Sequence, residues 1–384
     1  MATCAVAVSA IELSAHADVP VTWATSTESP RAIEVRDLGA REAELLARCG
    51  VGDVGLRDVA RRVLDRKRAG LPSPDTEALS SAQRAAGEPH VWPRAWIVSG
   101  RALDREMLAR KLDAWKQSSP SFGDRRCGIA ASTAPDGTDI VVAVAVDALA
   151  DLSPLPVRAR QGQWITLDAR MLVPATAAQV IVMGPSGAPR SVPASIANGR
   201  VRARFAPESP GAYTVQVVAD VSTGPRPVLE ASVFSEIAPP QTLSPAAAPG
   251  EAASAGSGDA TDALLRMLVA MRRTEQLAPP TRDARLDALA RAHARKMAAA
   301  RTIGHDVGDG DPSTRLRDAG MTARDAGENV AHAATVALAH RALYASPSHR
   351  ANLLRSDFDR VGVAVVEDSD GSVWIAELFA SGLR

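Results

Sequence analysis

The sequence has few aromatic residues and no excess charge of either sign. Phe, Trp and Tyr make up 3% of its 384 residues, so a hydrophobic core must consist mainly of Ala, Val and Leu. The 44 basic residues, nearly all Arg, equal the 44 acidic ones, and this balance indicates neither a nucleic acid nor an anionic membrane as partner. No apolar run reaches the roughly 18 residues that span a bilayer, so no transmembrane segment is predicted.

Cysteine is scarce, with three in the chain: Cys4, Cys49 and Cys127. Because three is a small and an odd number of cysteines, it argues against a disulfide scaffold. It is compatible with one bridge between Cys49 and Cys127. Cys4 lies close enough to the start to suggest, as one interpretation, the remnant of a lipid-anchored cysteine. The segment Met1–Ala10 is apolar but has no basic n-region, so a secretory signal peptide is not recognisable.

The length of the chain predicts two or three globular domains. Hydrophobic residues make up 46% and charged residues 23%, which is typical of chains that bury a core. Residues 237–258 are rich in Pro, Ala, Gly and Ser and are predicted to form a flexible linker. Residues 1–37 are treated as an N-terminal segment.

Three polar residues near the C-terminus carry the clearest chemistry. His305 follows Gly304, Glu328 lies in Ala-Gly-Glu-Asn, and His349 lies in Ser-Pro-Ser-His-Arg-Ala-Asn-Leu-Leu. Two imidazoles and a carboxylate are the ligand types of an open divalent-metal site, or of an acid–base pair with an orienting partner. Alternatively, these side chains serve the fold through hydrogen bonds alone, since buried polar groups usually find partners.

The order of these motifs resembles the bacterial branch of the CAP superfamily, which comprises cysteine-rich secretory proteins, antigen 5 and pathogenesis-related proteins. The resemblance covers residues 259–384. It extends to a helix pattern over Leu286–Met297 and to two strand-like segments, Val361–Val365 and Trp374–Phe379. Because several motifs agree in order and spacing, the resemblance is more specific than a single Glu-Asn pair.

The resemblance implies an α-β-α sandwich at the C-terminus, with helices over about 264–271 and 286–300 beside a small sheet. It also implies that His305, Glu328 and His349 converge in one polar cavity within reach of a metal ion. The first two residues are expected on loops or helix ends, and His349 at the start of a segment that faces the sheet.

The sequence departs from the fuller family pattern at one ligand position. There, a second Glu stands three residues after a Trp, whereas this chain has Leu343 and Ser346. With His305, Glu328 and His349 as the remaining ligands, we predict weak binding of a divalent metal, Zn²⁺ or similar.

For function, the resemblance implies a protein of the cell envelope, periplasm or extracellular space that binds an unidentified ligand through this cavity. Two alternatives stay open, and with them the question of whether the protein is an enzyme. One is a metal-assisted hydrolase of peptides or esters, in which Glu328, His305 or His349 would activate water. The other is a lipid or sterol carrier, which the few aromatic and long apolar residues around the motifs support little.

Other polar residues of this region are interpreted as structural. His293 lies within an amphipathic helix pattern and is expected at the edge of the core. His332 and His340 are expected to be solvated or on a helix surface. Asp309 and Asp311 match no complete Ca²⁺ loop and are assigned to a surface turn. Asn329 is expected to be a hydrogen-bonded structural amide.

Residues 38–152 contain a second, degenerate copy of the C-terminal domain. Leu56–Arg62 parallels Leu286–Ala292 at an offset of 230, and the Asp-Gly turns at Gly137 and Gly371 lie 234 apart. Such agreement between separate anchors indicates a repeat, although a coincidental α/β segment is the alternative.

The chemistry of the cavity is not kept in this copy. The positions equivalent to His305, Glu328 and His349 fall near Asp75, Ala95 and Ser121 or Phe122. The copy is therefore expected to act as a structural or binding unit.

Residues 153–236 show the pattern of short strands. Alternating or apolar runs begin near Trp164, Gln179, Val201 and Tyr213, with turn residues between them. Their spacing, and Tyr213 at the start of a late strand, predict an immunoglobulin-like β-sandwich. The complete chain is thus predicted to be a multidomain α+β protein.

Overall fold

The computed structural model describes residues 20–118, 121, 123–222, 224–243, 246–255 and 258–384. Its elements form three parts, namely an N-terminal α/β part, a middle part built of strands and a C-terminal α/β part. Cys4, Met1–Ala10 and Phe122, considered above, lie outside the described residues. Within the described ranges, no helix has both the length and the apolarity needed to cross a bilayer.

The N-terminal part combines helices with a sheet. The short strand β1 (Ser26–Thr27) precedes it. The helices are α1 (Ala40–Cys49), α2 (Val54–Arg68), α3 (Thr76–Ala85) and α4 (Arg105–Gln117). The strands are β2 (Val51–Gly52), β3 (Arg94–Arg101), β4 (Asp124–Thr133) and β5 (Thr138–Ala148), in the order β2-β4-β5-β3.

This sheet is covered on both faces, which explains why β5 is apolar along its length. Alternate side chains of a strand point to opposite faces. On one face Val142 and Val144 pack with Leu56 of α2. On the other face Val141 packs with Leu108 of α4. The N-terminal part is therefore a three-layer α-β-α arrangement.

A disulfide joins α1 to β4. Cys49 at the end of α1 and Cys127 on β4 are bonded, with an S–S distance of 2.06 Å and a Cα–Cα distance of 6.0 Å. Both residues are buried. The bridge that the cysteine count allowed is thus present.

The middle part consists of two packed sheets. Its strands are β6 (Ala150–Leu152), β7 (Leu155–Pro156), β8 (Arg158–Ala159), β9 (Ile165–Met171), β10 (Ala177–Met183), β11 (Arg190–Val192), β12 (Ala194–Ala197), β13 (Arg200–Phe205), β14 (Gly211–Val221) and β15 (Gly224–Ser235). One sheet has the order β11-β10-β14-β15-β8 and the other β12-β13-β9-β6, while β7 pairs with β1. A single hydrophobic core lies between the two sheets.

Two local features of the middle part follow from the sequence. Asn198 and Gly199 both have positive φ, 50° and 71°, and form the tight hairpin between β12 and β13. The Tyr213 hydroxyl donates to the Ser209 carbonyl at 2.9 Å and accepts from the Ser209 N–H at 2.9 Å. This ring therefore fixes the chain where it enters β14.

The C-terminal part also combines helices with a sheet. The helices are α5 (Ala260–Thr274), α6 (Ala284–Ala300), α7 (Pro312–Asp318), α8 (Val336–Ala345) and α9 (Pro347–Leu354). The strands are β16 (Thr281–Arg282), β17 (Asp325–Ala333), β18 (Arg360–Glu367) and β19 (Val373–Ser381), in the order β16-β18-β19-β17.

The layers of this part agree with the predicted sandwich. Helix α6 contributes Leu286 to a core on one face of the sheet. Helices α5, α8 and α9 contribute Leu268, Leu343 and Leu353 to the core on the other face. The predicted helix over 286–300 is confirmed, and it begins two residues earlier because the Asp283 carboxylate accepts the N–H groups of its first turn.

The two α/β parts have the same strand connectivity. In each, a short strand pairs in parallel with the first strand of a hairpin, whose second strand pairs antiparallel with one more strand. Gly128 and Gly362 occupy matching positions, since a Cβ on either would lie 2.1 Å from the backbone of α2 or α6, respectively. Asp53 and Asp283 cap these two helices. Both sheets thus meet their helix at equivalent points.

Part of the segment predicted as a linker packs on the C-terminal part. A 3₁₀ turn at Glu251–Ser254 lies against α5 and α8. Glu251 pairs with Arg341, and the Pro249 carbonyl lies 2.9 Å from Nε2 of His340. His340 is fully buried, so the expectation of a solvated His340 is wrong.

Candidate functional site

Glu328 lies at the centre of the candidate site. It is on β17, so the expectation of a loop or helix end is wrong, because the Ala-Gly-Glu-Asn segment pairs along β19. Its carboxylate is buried, and Oε1 accepts a hydrogen bond of 2.6 Å from Nη2 of Arg315. Oε2 lies 3.0 Å from Nδ1 of His305 and 3.6 Å from Nε2 of His293. Both oxygens of Glu328 therefore already have partners in the protein.

His305 is positioned by the loop between α6 and α7. One carboxylate oxygen of Asp306 accepts from the N–H groups of Gly308, Asp309 and Gly310 at 2.8, 3.2 and 3.1 Å, which closes this loop. Arg315 donates to Oε1 of Glu328, and the other oxygen, Oε2, accepts from Nδ1 of His305. In the neutral ring this leaves Nε2 as a hydrogen-bond acceptor.

His349 lies in the first turn of α9, a helix that begins with Pro347 at its first position. Its Nδ1 atom is buried and has no hydrogen-bond partner among the described residues. Burial, and to a lesser degree the nearby imidazole of His305, lowers the pKa of His349 to about 3. His349 is therefore neutral at physiological pH.

A buried amide–carboxyl network fixes α9 on the sheet. Nδ2 of Asn329 donates to Oε2 of Glu377 at 3.0 Å and to the His349 carbonyl at 3.3 Å. Nδ2 of Asn352 donates to Oδ1 of Asn329 at 3.0 Å and to the Glu328 carbonyl at 3.1 Å. Burial raises the pKa of Glu377 to about 7. The hydrogen bond from Asn329 lowers this pKa, but its effect is smaller than that of burial. Asn329 is thus the structural amide that was expected.

The remaining polar residues of the region mostly support the fold. His293 is buried on α6 and bonds Asp309 and the Gly304 carbonyl, each at 2.9 Å. Asp311 caps α7 by accepting from the Thr314 N–H at 2.7 Å. His332 is exposed, as predicted, and stacks on Trp374 with ring centroids 4.1 Å apart.

Arg315 and Glu377 were not identified from the sequence as site residues. A signal for Glu377 was present, because it interrupts the apolar strand Trp-Ile-Ala-Glu-Leu-Phe, and a charge at a buried strand position usually has a specific partner. For Arg315 the sequence holds no such signal, since α7 is short and exposes Arg317 beside it.

A cavity of about 180 Å³ lies where the three parts meet. The C-terminal part contributes His305 and His349, and Glu328 is not among the described residues that line the cavity. Further lining residues come from the N-terminal part (Gln83, Glu88, His90, Trp92), the middle part (Gln216, Pro225, Pro227, Glu230) and the C-terminal part (Ile303, Val330, Leu343, Ser346). The two imidazoles therefore face a space that all three parts enclose.

A chain of polar contacts crosses this junction. Nη1 of Arg84 on α3 donates to Oε1 of Glu230 on β15 at 2.6 Å. Nε2 of Gln216 on β14 donates to Oε2 of Glu230 at 3.0 Å, and its Oε1 accepts from the Ser348 N–H at 3.0 Å. Since Ser348 precedes His349 in the first turn of α9, this chain connects the N-terminal and middle parts to the helix that carries His349.

The geometry fits a divalent metal in part. His305 and His349 line one cavity and supply two imidazoles, whereas Glu328 does not line it, and both of its oxygens are bonded, Oε1 to Arg315 and Oε2 to His305. Among the described residues, no three or more His, Cys, Asp or Glu side chains are grouped as they would be to hold a metal ion. Metal binding by these three residues stays a prediction.

The equivalent positions in the N-terminal part carry other chemistry. Asp75 caps α3 by accepting from the Ala78 N–H at 2.8 Å. Ala95 lies on β3 opposite Val144, as Glu328 lies on β17 opposite Leu378. Ser121 donates to Asp147 at 2.9 Å.

A family model described as the cysteine-rich secretory protein family (CAP) matches residues 265–379. No curated protein matches the chain. Several solved structures match in part, among them the following three. An outer surface protein of Borrelia burgdorferi is 23% identical, with 31% of this chain and 90% of that chain covered and a TM-score of 0.29. An extracellular SCP-domain protein of Bacillus anthracis is 15% identical, with 61% and 83% covered and a TM-score of 0.30. A cysteine-rich secretory protein of Staphylococcus aureus is 14% identical, with 62% and 83% covered and a TM-score of 0.28.

Proposed function

Since residues 265–379 form a CAP domain, we propose that the protein acts by binding a ligand through the cavity that His305 and His349 line. One observation carries this proposal: both imidazoles border the same space, and Glu328, held by Arg315, orients His305. An imidazole fixed by a carboxylate through one nitrogen presents the other nitrogen for recognition.

The same pair of imidazoles would bind a divalent metal weakly. His305 and His349 would be the ligands, and Glu328 would join them by giving up the hydrogen bond between its Oε2 and Nδ1 of His305. Because losing a hydrogen bond to a buried charged group is costly, we expect the affinity for Zn²⁺ to be modest. This arrangement also argues against the hydrolase alternative, since a carboxylate already paired with Arg315 is a poor base for activating water.

The disulfide supports a location outside the cytoplasm. Cys49 and Cys127 are bonded in the N-terminal part, and such bonds persist in oxidising compartments. We place the protein in the cell envelope, the periplasm or the extracellular space.

Residues 38–152 are in this proposal a degenerate CAP-like copy, and residues 153–236 an immunoglobulin-like sandwich. The shared strand order and the matching helix contacts at Gly128 and Gly362 support the first assignment. The contact of Tyr213 with Ser209 supports the second, because it has the geometry of a tyrosine corner. Both units would then act by shaping the junction around the cavity.

Isothermal titration of the full-length protein with Zn²⁺ at neutral pH tests the role of the imidazoles. We expect a weak binding heat that disappears in His349→Ala and persists in His340→Gln, because His340 bonds the Pro249 carbonyl and is not among the described residues that line the cavity. Absence of heat in the parent protein, or heat that survives in His349→Ala, would reject metal binding at this site.

A further inference from the structure

Large apolar side chains are exposed together at the cavity. Trp92 of the N-terminal part is 40% exposed and Ile303 of the C-terminal part 37% exposed, and both line the cavity. Large hydrophobic side chains are exposed at five described positions in all, so two of them share this site. Clustered exposed apolar surface is typical of binding sites, whereas scattered single residues are not.

The backbone of Trp92 adopts an unusual conformation. Its φ is +56°, in the left-handed region that bulky residues rarely adopt. The guanidinium of Arg226 on β15 lies 4.4 Å from the centroid of its indole ring. Residues held in such conformations concentrate at ligand-contacting positions. The indole of the N-terminal part is therefore held by a contact from the middle part.

At the polar end of the cavity, a ligand would bind best by donating a hydrogen bond. Nε2 of His305 is an acceptor in the neutral ring, because Nδ1 donates to Glu328. In the opposite wall the charge of Arg84 is already paired with Glu77 and Glu230, at 2.9 and 2.6 Å. The described lining holds three carboxyl groups, those of Glu77, Glu88 and Glu230, against the two guanidinium groups of Arg84 and Arg226, and this balance favours an uncharged ligand over an anion.

The dimensions of the cavity limit the ligand. Its volume of about 180 Å³ compares with the ~150 Å³ that suffices for benzene in an apolar protein cavity. We propose that the junction of the three parts is a composite pocket for a small uncharged aromatic molecule with one O–H or N–H donor. The ring packs between Trp92 and Ile303, and the donor bonds His305. This assignment rests on the proposed binding role of the imidazoles and adds the ligand class and the second wall.

The walls of the pocket are held in place before a ligand binds. Gln216 is 1% exposed and contacts both Glu230 and the Ser348 N–H, so the walls from the middle and C-terminal parts are tied together. Arg84 connects the N-terminal wall to the same series of hydrogen bonds by donating to Glu230. Walls fixed in this way reduce the ordering cost of binding a small ligand.

Titration calorimetry of the full-length protein with 4-methylphenol and toluene tests this proposal. These probes have nearly the same shape, but toluene lacks the hydroxyl donor. We expect 4-methylphenol to bind about fivefold more tightly than toluene, which corresponds to one net hydrogen bond. In His305→Leu this preference should vanish. Trp92→Ala should weaken both probes about tenfold.

Trp164→Ala is the matched control, because Trp164 is also exposed and lies beside an arginine, Arg204, but does not line the cavity. It should bind both probes as the parent does. If Trp92→Ala also binds as the parent does while His349→Ala loses 4-methylphenol, the composite pocket is rejected and the binding role of the imidazoles stands. If neither probe binds the parent, the ligand class is rejected, and the Zn²⁺ titration still decides the proposed function by itself.

Discussion

Arg315 and Glu328 form a buried ion pair, with 2.6 Å between Nη2 and Oε1. The side chains are 6% and 1% exposed, so water screens this pair little. Its consequence is that the carboxyl group is held in place and can orient His305 through Oε2, which lies 3.0 Å from Nδ1 of that ring. The ion pair thus determines how the His305 imidazole is presented to the cavity, although neither Arg315 nor Glu328 is among the described residues that line it.

Arg315→Leu should destabilise the protein by about 3–5 kcal/mol, because it leaves a buried carboxylate without its cation. Arg315→Leu/Glu328→Gln should recover most of this loss, since the unpaired charge is then absent. Urea denaturation at pH 7 measures both. Arg317→Leu is the control on the same helix, because Arg317 is 71% exposed. A loss in Arg315→Leu no larger than in this control would contradict a structural role for the pair.

The periodic elements of the fold could be predicted from the sequence. The helix that begins after Asp283 combines a capping carboxylate with apolar residues at helical spacing, and both signals are local. The Ala-Gly-Glu-Asn strand could not be predicted in this way. Gly and Asn have low strand propensity, and the strand forms because β19 offers it a complete pairing partner.

The two imidazoles and the carboxylate of the site could be found by motif, but the cavity could not. The cavity depends on how three parts of the chain meet. Gln216 and Ser348 are 132 residues apart, and no periodicity or spacing in the sequence relates them. Trp92 is likewise an ordinary loop residue in the sequence, and its unusual φ depends on its packing in the fold.

Gly128→Ala and Gly362→Ala should each destabilise the protein by about 2 kcal/mol or more. A methyl group at either position would lie 2.1 Å from helix backbone, so the sheet and the helix must move apart. Thermal unfolding of each variant measures the effect. Gly137→Ala and Gly371→Ala are matched controls at turns with open space around them, where the positive φ costs about 1–2 kcal/mol and no clash adds to it. A large loss in one α/β part and none in the other would contradict the proposal that the two parts are copies of one domain.

Cys49→Ala/Cys127→Ala should lower stability by about 4 kcal/mol, because the bridge closes a long loop in the unfolded chain. The two cysteines are 78 residues apart. Thermal unfolding with and without dithiothreitol measures the effect: the parent should lose stability in the reductant and the double variant should not. Cys4→Ala leaves this bridge intact and should respond as the parent does. A parent protein insensitive to reductant would contradict the prediction.

Glu377 should make stability depend on pH. Burial raises its pKa from 4.5 to about 7, so between these values the folded state binds more protons than the unfolded state. Its contribution to stability is therefore complete below pH 4.5 and is lost as the pH rises towards 7. One pKa unit corresponds to about 1.4 kcal/mol, so the loss amounts to about 3 kcal/mol at pH 8.

Glu377→Gln removes this titration and keeps an acceptor for Asn329, which donates to Glu377 at 3.0 Å. Relative to the parent, the variant should gain stability steadily from pH 4.5 to pH 8, by up to about 3 kcal/mol. Urea denaturation at pH 4.5, 6 and 8 measures the difference. Glu367→Gln is the control, because Glu367 is exposed at the end of the neighbouring strand β18. If the curves of Glu377→Gln and the parent run parallel over this range, Glu377 is ionised throughout and another group must compensate its charge.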